Sequence, residues 1–317
     1  MRAPVPEGLL AVDERFHDVG DGMWWGESWY FDFASQDGSV GGYVRIGFYP
    51  HQQACWYWAC LVGEGRRPVM VVDHDVPVPR SSTLEVRHDG LWADHTVEVP
   101  FDHVTLGCEA FGLAFDDATD AYRPLVGERV PFGLDLEWET DGVGYRYPPG
   151  ADRYEVPCRV HGEVLVGDER IEFDGIGQRD HSWGPRDWWV LSWTWCSGWL
   201  TDGTRFHGTA LRLDDVAVPY YPGYVQPPGG PLAPVEFTDA SADLGPEGLP
   251  VAARVTIGDL VLDVAPVAFA PILLVAPDGR VSRFPRALCR VTEPATGRTG
   301  VAWTEWNQPQ PQPEPNA

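Results

Sequence analysis

The chain has 317 residues and a formal net charge of −24, and arginine is its only strong cation because the sequence contains no lysine. A surface this acidic repels phosphate backbones and anionic lipid headgroups, which argues against nucleic acid and membrane surfaces as partners. The length allows two domains with cores of their own and excludes a small disulfide-stapled scaffold.

The six cysteines show no Cys-x-x-Cys motif and no spacing typical of a metal finger. The N-terminal residues lack the apolar core of a signal peptide, and no apolar run is long enough to span a membrane. We therefore expect a reduced, cytoplasmic protein without membrane insertion.

Apolar and polar residues alternate with period two along much of the chain, which predicts an all-β protein. Residues 29–33 and 42–49 flank an Asp-Gly turn and are expected to form a hairpin. The 35 glycines and 30 prolines interrupt the chain too often for long helices, and the best helical candidate is a short turn near 115–122. We expect two antiparallel barrels or sandwiches with few short helices.

Further hairpins are predicted where two alternating runs flank a short polar turn. Their strands are 54–62 with 69–76, 156–166 with 170–174, and 188–200 with 204–213. A Tyr- and Pro-rich stretch at 145–152 breaks this rhythm and predicts a domain boundary. We therefore expect an N-terminal β domain over 1–150, a C-terminal β domain over 151–307, and a disordered Pro/Gln tail over 308–317.

Tryptophan is concentrated between residues 183 and 199. Trp189, Trp193 and Trp195 share odd parity, so in a strand their side chains project from one face. Such a face suits either a large aromatic core or the wall of an apolar ligand chamber.

The sequence directly before this segment is Arg179-Asp180-His181-Ser182-Trp183-Gly184. Polar groups at the edge of an apolar surface are typical of a binding or catalytic site. Asp180 is the candidate catalytic group, with Arg179 and His181 as its neighbours. The alternative is that Asp180 pairs with Arg179 or Arg186 and only stabilises a turn.

A second aromatic cluster lies near the N-terminus and contains Glu27, Trp29 and Tyr30. Trp58 lies further along in another aromatic run. These residues are candidates for the same chamber, or else form an aromatic core with Glu27 at its rim.

A metal site is not expected. His/Asp dipeptides such as Asp180-His181 are frequent, but adjacent strand residues point to opposite faces and cannot both reach one ion. The sequence also lacks His-Glu-x-x-His, Gly-x-Ser-x-Gly and Gly-x-Gly-x-x-Gly motifs.

Residues 175–184, followed by Trp193-x-Trp195 and residues 200–203, resemble the lipocalin-like hydratase and cyclase superfamily, which includes carotenoid 1,2-hydratases and lipocalin-like Diels–Alderases. Glu27-Ser28-Trp29-Tyr30 is similar to the Glu-Trp-Trp-Tyr element of that group, with Ser28 departing from it. A closer resemblance, carried by Phe132–Glu139 together with Gln178–Trp183, is to a large actinobacterial group. The resemblance to the superfamily implies two lipocalin-like domains, a site at their interface, no cofactor and a bulky hydrophobic substrate, with Asp180 in the position of the hydratase acid.

These observations favour a hydratase or cyclase in which protonated Asp180 donates a proton to a terpenoid or polyketide alkene. One alternative is a pericyclase that folds a polyene by shape, and another is a non-catalytic lipid or pigment carrier. Glycoside hydrolysis is the least favoured alternative because no facing pair of carboxylates is evident. We expect a monomer or homodimer. The full substrate-binding set is Glu27, Trp29, Tyr30, Trp58, Trp183, Trp189, Trp193, Trp195 and His207.

Overall fold

The structure is a computed structural model that describes residues 5–79, 83–123, 126–213 and 216–311. Over these ranges the chain is almost entirely β-structure, as predicted, with three short 3-10 helices. The helices are η1 (Ala11–Glu14), η2 (Pro50–Gln52) and η3 (Ala118–Tyr122), and η3 lies where the helical turn was expected.

The first eleven strands form one antiparallel sheet. They are β1 (Trp25–Ala34), β2 (Val40–Tyr49), β3 (Ala54–Gly63), β4 (Arg66–Val76), β5 (Val86–His88), β6 (Leu91–Val99), β7 (His103–Ala114), β8 (Glu128–Thr140), β9 (Tyr145–Arg146), β10 (Asp152–Val166) and β11 (Glu169–Pro185). The strand order is β4-β3-β2-β1-β11-β10-β8-β7, and β4 also pairs with β7. This last pairing closes eight strands into a barrel and leaves no free edge in the ring.

The remaining strands form a second antiparallel sheet. They are β12 (Ser192–Leu200), β13 (Arg205–Leu213), β14 (Val216–Ala217), β15 (Pro222–Gln226), β16 (Ala233–Leu244), β17 (Pro250–Ile257), β18 (Leu260–Phe269), β19 (Ile272–Val275), β20 (Val281–Phe284), β21 (Arg286–Thr292) and β22 (Thr299–Pro309). β12 pairs with both β13 and β22, so this sheet also returns on itself.

The change from the first sheet to the second lies between Pro185 and Ser192, not at residue 150. The predicted boundary is wrong for the sheets because β10 and β11 pair with each other and with β8 and β1 of the first barrel. The Pro/Gly punctuation at 145–152 marks only a turn into β10. The predicted tail also begins too early, since β22 continues to Pro309; residues 312–317 lie outside the described ranges.

Three large apolar clusters account for most of the buried side chains. One fills the interior of the first barrel, and another is formed by side chains of the second sheet alone. The cluster between them draws side chains from both sheets, including Tyr30, Trp58, Trp195 and Trp303. This shared aromatic layer covers one outer face of each sheet. Within the described ranges, no helix has the length and apolar character required to cross a membrane.

Close backbone contact between β1 and β11 depends on glycine. A Cβ atom on Gly177 would lie 2.0 Å from the carbonyl oxygen of Asp32, and one on Gly175 would lie 2.3 Å from that of Ala34. Neither oxygen belongs to a flexible side chain, so a larger residue must shift the strand itself. The Gly-x-Gly run before Arg179 is therefore explained by strand packing.

We predict that Gly177→Ala lowers the free energy of unfolding by about 1–3 kcal/mol through overpacking. Gly133→Ala is the matched control in β8, because its added Cβ would meet Leu165 at an ordinary contact distance of 3.4 Å. Urea unfolding of both variants measures the difference. Equal stability of the two variants would contradict this account of the strand contact.

Candidate functional site

The alternation of side chains along β1 and β11 divides the predicted motif between two environments. β1 and β11 pair directly, with Trp29 opposite His181 and Tyr30 opposite Asp180. Trp29 packs in the core of the first barrel and stacks on His181 at a ring distance of 4.0 Å. Tyr30 belongs to the aromatic layer between the sheets. Asp180 therefore faces the second sheet, whereas His181 faces into the first barrel.

A chamber of about 1050 Å³ lies between the two sheets. Its walls come from β1, β2, β10–β13 and β22 and from the connection between β11 and β12. Trp188, Trp193 and Trp195 supply indole rings to the wall. Trp183 also borders the chamber, but its ring stacks on His17 at 3.7 Å and packs against the core of the first barrel. The polar lining includes Ser28, Arg45, Tyr147, Arg153, Ser182, Arg186, Thr209, Tyr220 and Glu305. A large aromatic space with a few polar groups is typical of a small-molecule site.

A fully buried carboxylate, Glu155, joins the two sheets beside this chamber. It accepts hydrogen bonds from Arg153 Nε at 2.6 Å and Gln178 Nε2 at 2.9 Å, both on the first sheet. It also accepts one from Trp195 Nε1 at 3.1 Å, and His207 Nε2 lies 3.4 Å away, both on the second sheet. Burial is tolerated because the charge is paired and its oxygens are bonded.

Asp180 is held by the same arginine. Arg153 Nη2 donates to Asp180 Oδ2 at 2.7 Å, while Asp180 Oδ1 makes no hydrogen bond to the part of the chain that the structure describes. Asp180 retains 4% exposure and lies behind Arg153, which itself lines the chamber. The aspartate is therefore adjacent to the chamber wall without forming it.

The pKa values of the two buried carboxyl groups, Asp180 and Glu155, are shifted in opposite directions. Burial raises the pKa of Asp180 to about 7, although the Arg153 guanidinium lowers it and Glu155 raises it further. Burial would also raise the pKa of Glu155, but Arg153 and His207 outweigh this effect and the pKa of Glu155 is lowered. Burial lowers the pKa of His207 to about 4. Two carboxyl groups with opposite pKa shifts are typical of acid–base sites.

The predicted role of Arg179 beside Asp180 is wrong in its geometry. The Arg179 side chain points into the first barrel, where Nη2 and Nη1 donate to Glu14 at 2.7 and 3.0 Å. Tyr154 donates its hydroxyl to the same carboxylate at 2.9 Å. Adjacent residues of a strand face opposite sides, so Arg179 cannot orient Asp180. The alternative pairing of Asp180 with Arg179 fails for the same reason.

His181 and Glu27 form a second buried group inside the first barrel. His181 Nε2 lies 2.9 Å and His17 Nδ1 2.8 Å from the same Glu27 Oε1. His181 Nδ1 donates to the carbonyl oxygen of Asp13 at 2.8 Å, and the other ring nitrogen, Nε2, faces the Glu27 carboxylate. The three donor atoms lie within 4.8 Å of one another, so nitrogen and carboxylate ligands for a zinc-like ion are available. They are already joined by hydrogen bonds, and the absence of a metal stays a prediction.

The other predicted residues fall into three groups. Trp193 and Trp195 line the chamber, and Trp183 borders it with its ring stacked on His17, so their role in substrate binding stays a prediction. Tyr30, Trp58 and His207 are buried between the sheets but are absent from the chamber wall. Trp29 and Glu27 lie inside the first barrel and are not in the wall either, because odd-numbered β1 residues face that interior. Fewer of the predicted aromatic residues therefore line the chamber than the sequence indicates.

Trp189 does not share the strand face that its parity predicts. β12 begins at Ser192, so Trp189 precedes the strand in a turn. Its Nε1 donates to the carbonyl oxygen of Leu274 at 3.0 Å, and Trp188 takes its place in the wall. The Asp187 carboxylate accepts a hydrogen bond from the backbone N–H of Trp189 at 2.9 Å, which forms an Asx-type turn. Because of this turn, the strand alternation predicted from residue 188 does not include Trp189.

Sequence reasoning missed Arg153, Glu155, Tyr147 and Arg45. Arg153 and Glu155 alternate with buried apolar residues in β10, a pattern that marks polar residues on the opposite face from the barrel core. The alternation is visible in the sequence, but it is equally typical of polar residues that face solvent. Only the position of the second sheet shows that the face is buried.

The sequence profile of one family matches residues 10–310. The chain belongs to the DUF7064 family, whose description is a domain of unknown function. No curated protein sequence matches it.

Solved structures show the same fold at low identity. An AttH-type protein from Nitrosomonas europaea is 16% identical, with 96% of this chain and 98% of that chain covered and a TM-score of 0.61. Kievitone hydratase from Nectria haematococca is 9% identical, with 97% and 96% covered and a TM-score of 0.60. CghA with Sch210972 is 14% identical, with 96% and 95% covered and a TM-score of 0.55. The resemblance to the lipocalin-like hydratase and cyclase superfamily is confirmed as a shared fold.

We predict that Arg179→Met lowers the free energy of unfolding by about 3–5 kcal/mol, because Glu14 is left buried without its cation. Arg254→Met is the matched control, since Arg254 pairs with Asp263 at an exposed site and its loss costs less than about 1 kcal/mol. Urea unfolding measures both. A small loss for Arg179→Met would contradict a structural role.

Proposed function

We propose that this chain is an enzyme of hydratase or cyclase type that acts on a bulky hydrophobic alkene held in the chamber between its two sheets. The observation that carries the proposal is the aromatic chamber of about 1050 Å³ beside a buried acid–base cluster. Kievitone hydratase and CghA share the fold, and CghA was solved with the small molecule Sch210972. Terpenoid and polyketide substrates match the size and the apolar walls.

In this proposal Asp180 is the proton donor. Its pKa of about 7 allows the protonated form to exist near neutral pH, whereas an exposed aspartate is ionised there. Asp180 Oδ2 remains bonded to Arg153, so Oδ1 is the oxygen available to carry the proton. Transfer of this proton to the substrate double bond requires the alkene to lie beside Arg153 and Ser182, the wall residues next to Asp180. The positive charge left on the substrate is then captured by water, which loses a proton to the solvent, or by a second group of the substrate.

A second candidate is supported by the position of Asp180 behind the chamber wall. Here Asp180 is a positioning residue that orients the Arg153 guanidinium, and the chamber accelerates a cyclisation by holding a polyene in its reactive shape. Arg153 also lies 5.4 Å from the Tyr147 ring and 5.9 Å from the Trp195 ring, so its position is well defined. An asparagine at 180 could still accept the hydrogen bond from Arg153.

The Asp180→Asn variant distinguishes these candidates. If Asp180 is the acid, turnover falls by a factor of about 10²–10⁴. In the wild type, turnover is constant at low pH and falls about tenfold per pH unit above 7, because the protonated carboxyl is lost there. Product formation from a panel of conjugated isoprenoids and polyketides, followed by mass spectrometry, supplies the measurement.

Asp174→Asn on the exposed part of the same strand is the matched control and should keep full turnover. A loss of less than about tenfold in Asp180→Asn, with the pH profile unchanged, would contradict the acid assignment and support the positioning role. Binding of the panel without turnover by any form of the protein would instead support a carrier.

A further inference from the structure

Two arginines that line the chamber, the buried Arg45 and the partly buried Arg186, have no acidic partner among the described residues. Arg45 is 5% exposed, and its Nη2 donates to the Tyr49 hydroxyl at 2.9 Å. Its Nη1 is buried without a hydrogen-bond partner among the described residues. Arg186 donates from Nη2 to the Ser182 hydroxyl at 3.2 Å. Over the ranges that the structure describes, neither guanidinium has a carboxylate within 4.0 Å. In a chain with a net charge of −24, such a pair of cations is unexpected.

The two guanidiniums converge on the same part of the chamber. Arg45 Cζ lies 5.1 Å and Arg186 Cζ 5.3 Å from the centre of the Trp188 ring. Arg45 also lies 4.6 Å from the Trp58 ring. Burial lowers the pKa of Arg186 to about 10, and the positive charges of Arg153 and Arg45 add to this effect. The site therefore concentrates positive charge, which the aromatic faces only partly offset.

The acids near this site are engaged elsewhere. Glu305 lies in the wall but pairs with Arg286 at 3.0 Å and accepts from Trp193 Nε1 at 3.2 Å. Asp187 pairs with Arg280 at 3.0 Å, and Asp180 pairs with Arg153 at 2.7 Å. Asp152 is more than half exposed at the rim, 3.9 Å from Arg146. Asp180 attracts Arg186 only at longer range, and none of these carboxylates forms an ion pair with Arg45 or Arg186.

We infer that Arg45 and Arg186 form a subsite for an anionic oxygen group of the substrate, such as a carboxylate or an enolate. This inference rests on the proposed function and adds a charged group to its hydrophobic substrate. Both guanidiniums line the chamber, so a planar oxygen anion can accept hydrogen bonds from them and offset part of their positive charge. Because these cations oppose a free carbocation nearby, protonation by Asp180 fits an alkene that is conjugated to this oxygen group, whose negative charge they stabilise.

Binding of all-trans-retinoic acid and methyl retinoate tests the subsite, because the two probes share one polyene and differ in the anion. Quenching of tryptophan fluorescence at pH 7.5 measures both affinities. We expect the wild type to bind the acid about tenfold or more tightly than the ester. Arg45→Gln should remove most of this preference and change ester binding by less than about twofold. Arg254→Gln, at a distant exposed ion pair, should retain the preference.

Arg186→Gln provides a second test, because Arg186 lies outside β2 and its substitution leaves that strand unchanged. It should reduce the preference for the acid over the ester as Arg45→Gln does. Equal binding of the acid and the ester by the wild type would overturn the anion subsite and leave the proposed function intact. An unchanged preference in both arginine variants would also overturn it. Failure of the wild type to bind either probe would overturn the apolar chamber and this inference together.

Discussion

The buried carboxylate of Glu155 is the contact on which the arrangement of the two sheets depends. Its partners Arg153 and Gln178 belong to the first sheet, and Trp195 and His207 belong to the second. An ionised carboxylate without partners would cost several kcal/mol at this depth. The two sheets must therefore meet in the register that satisfies it. That register also places Arg153 at the chamber wall and Asp180 behind it.

The strand alternation of β11 then separates two kinds of chemistry within one short motif. Even-numbered residues such as Asp180 and Ser182 belong to the chamber side, where burial against the second sheet raises the proton affinity of Asp180. The odd-numbered residues Arg179 and His181 contact the carboxylates of Glu14 and Glu27 inside the first barrel. The barrel interior thus fixes the strand, and the opposite face of the same strand carries the candidate chemistry. The motif has consecutive polar residues because one face of β11 binds carboxylates inside the barrel and the other face borders the chamber.

Much of this could be predicted from sequence, because it depends on local periodicity. The all-β fold, most hairpins and the indoles of β12 follow from alternation and Asp-Gly turns. The shared role of Arg179, Asp180 and His181 could not be predicted from their adjacency, because adjacent strand residues face apart. The place of Trp189 was missed because the Asp187 turn delays the start of β12. The roles of Arg153, Glu155 and Arg45 could not be predicted, because the sequence of one strand does not show which surfaces meet.

The central claim is that the space between the sheets holds a hydrophobic small molecule beside the Arg153–Asp180 pair. Mass spectrometry of compounds extracted from purified protein tests it most directly when the wild type is compared with Leu211→Trp, a substitution that fills the chamber from β13. The account predicts a terpenoid- or polyketide-like compound that is retained by the wild type and lost from a folded Leu211→Trp variant. Retention of the same compound by both proteins, or of an oligosaccharide by the wild type, would contradict it.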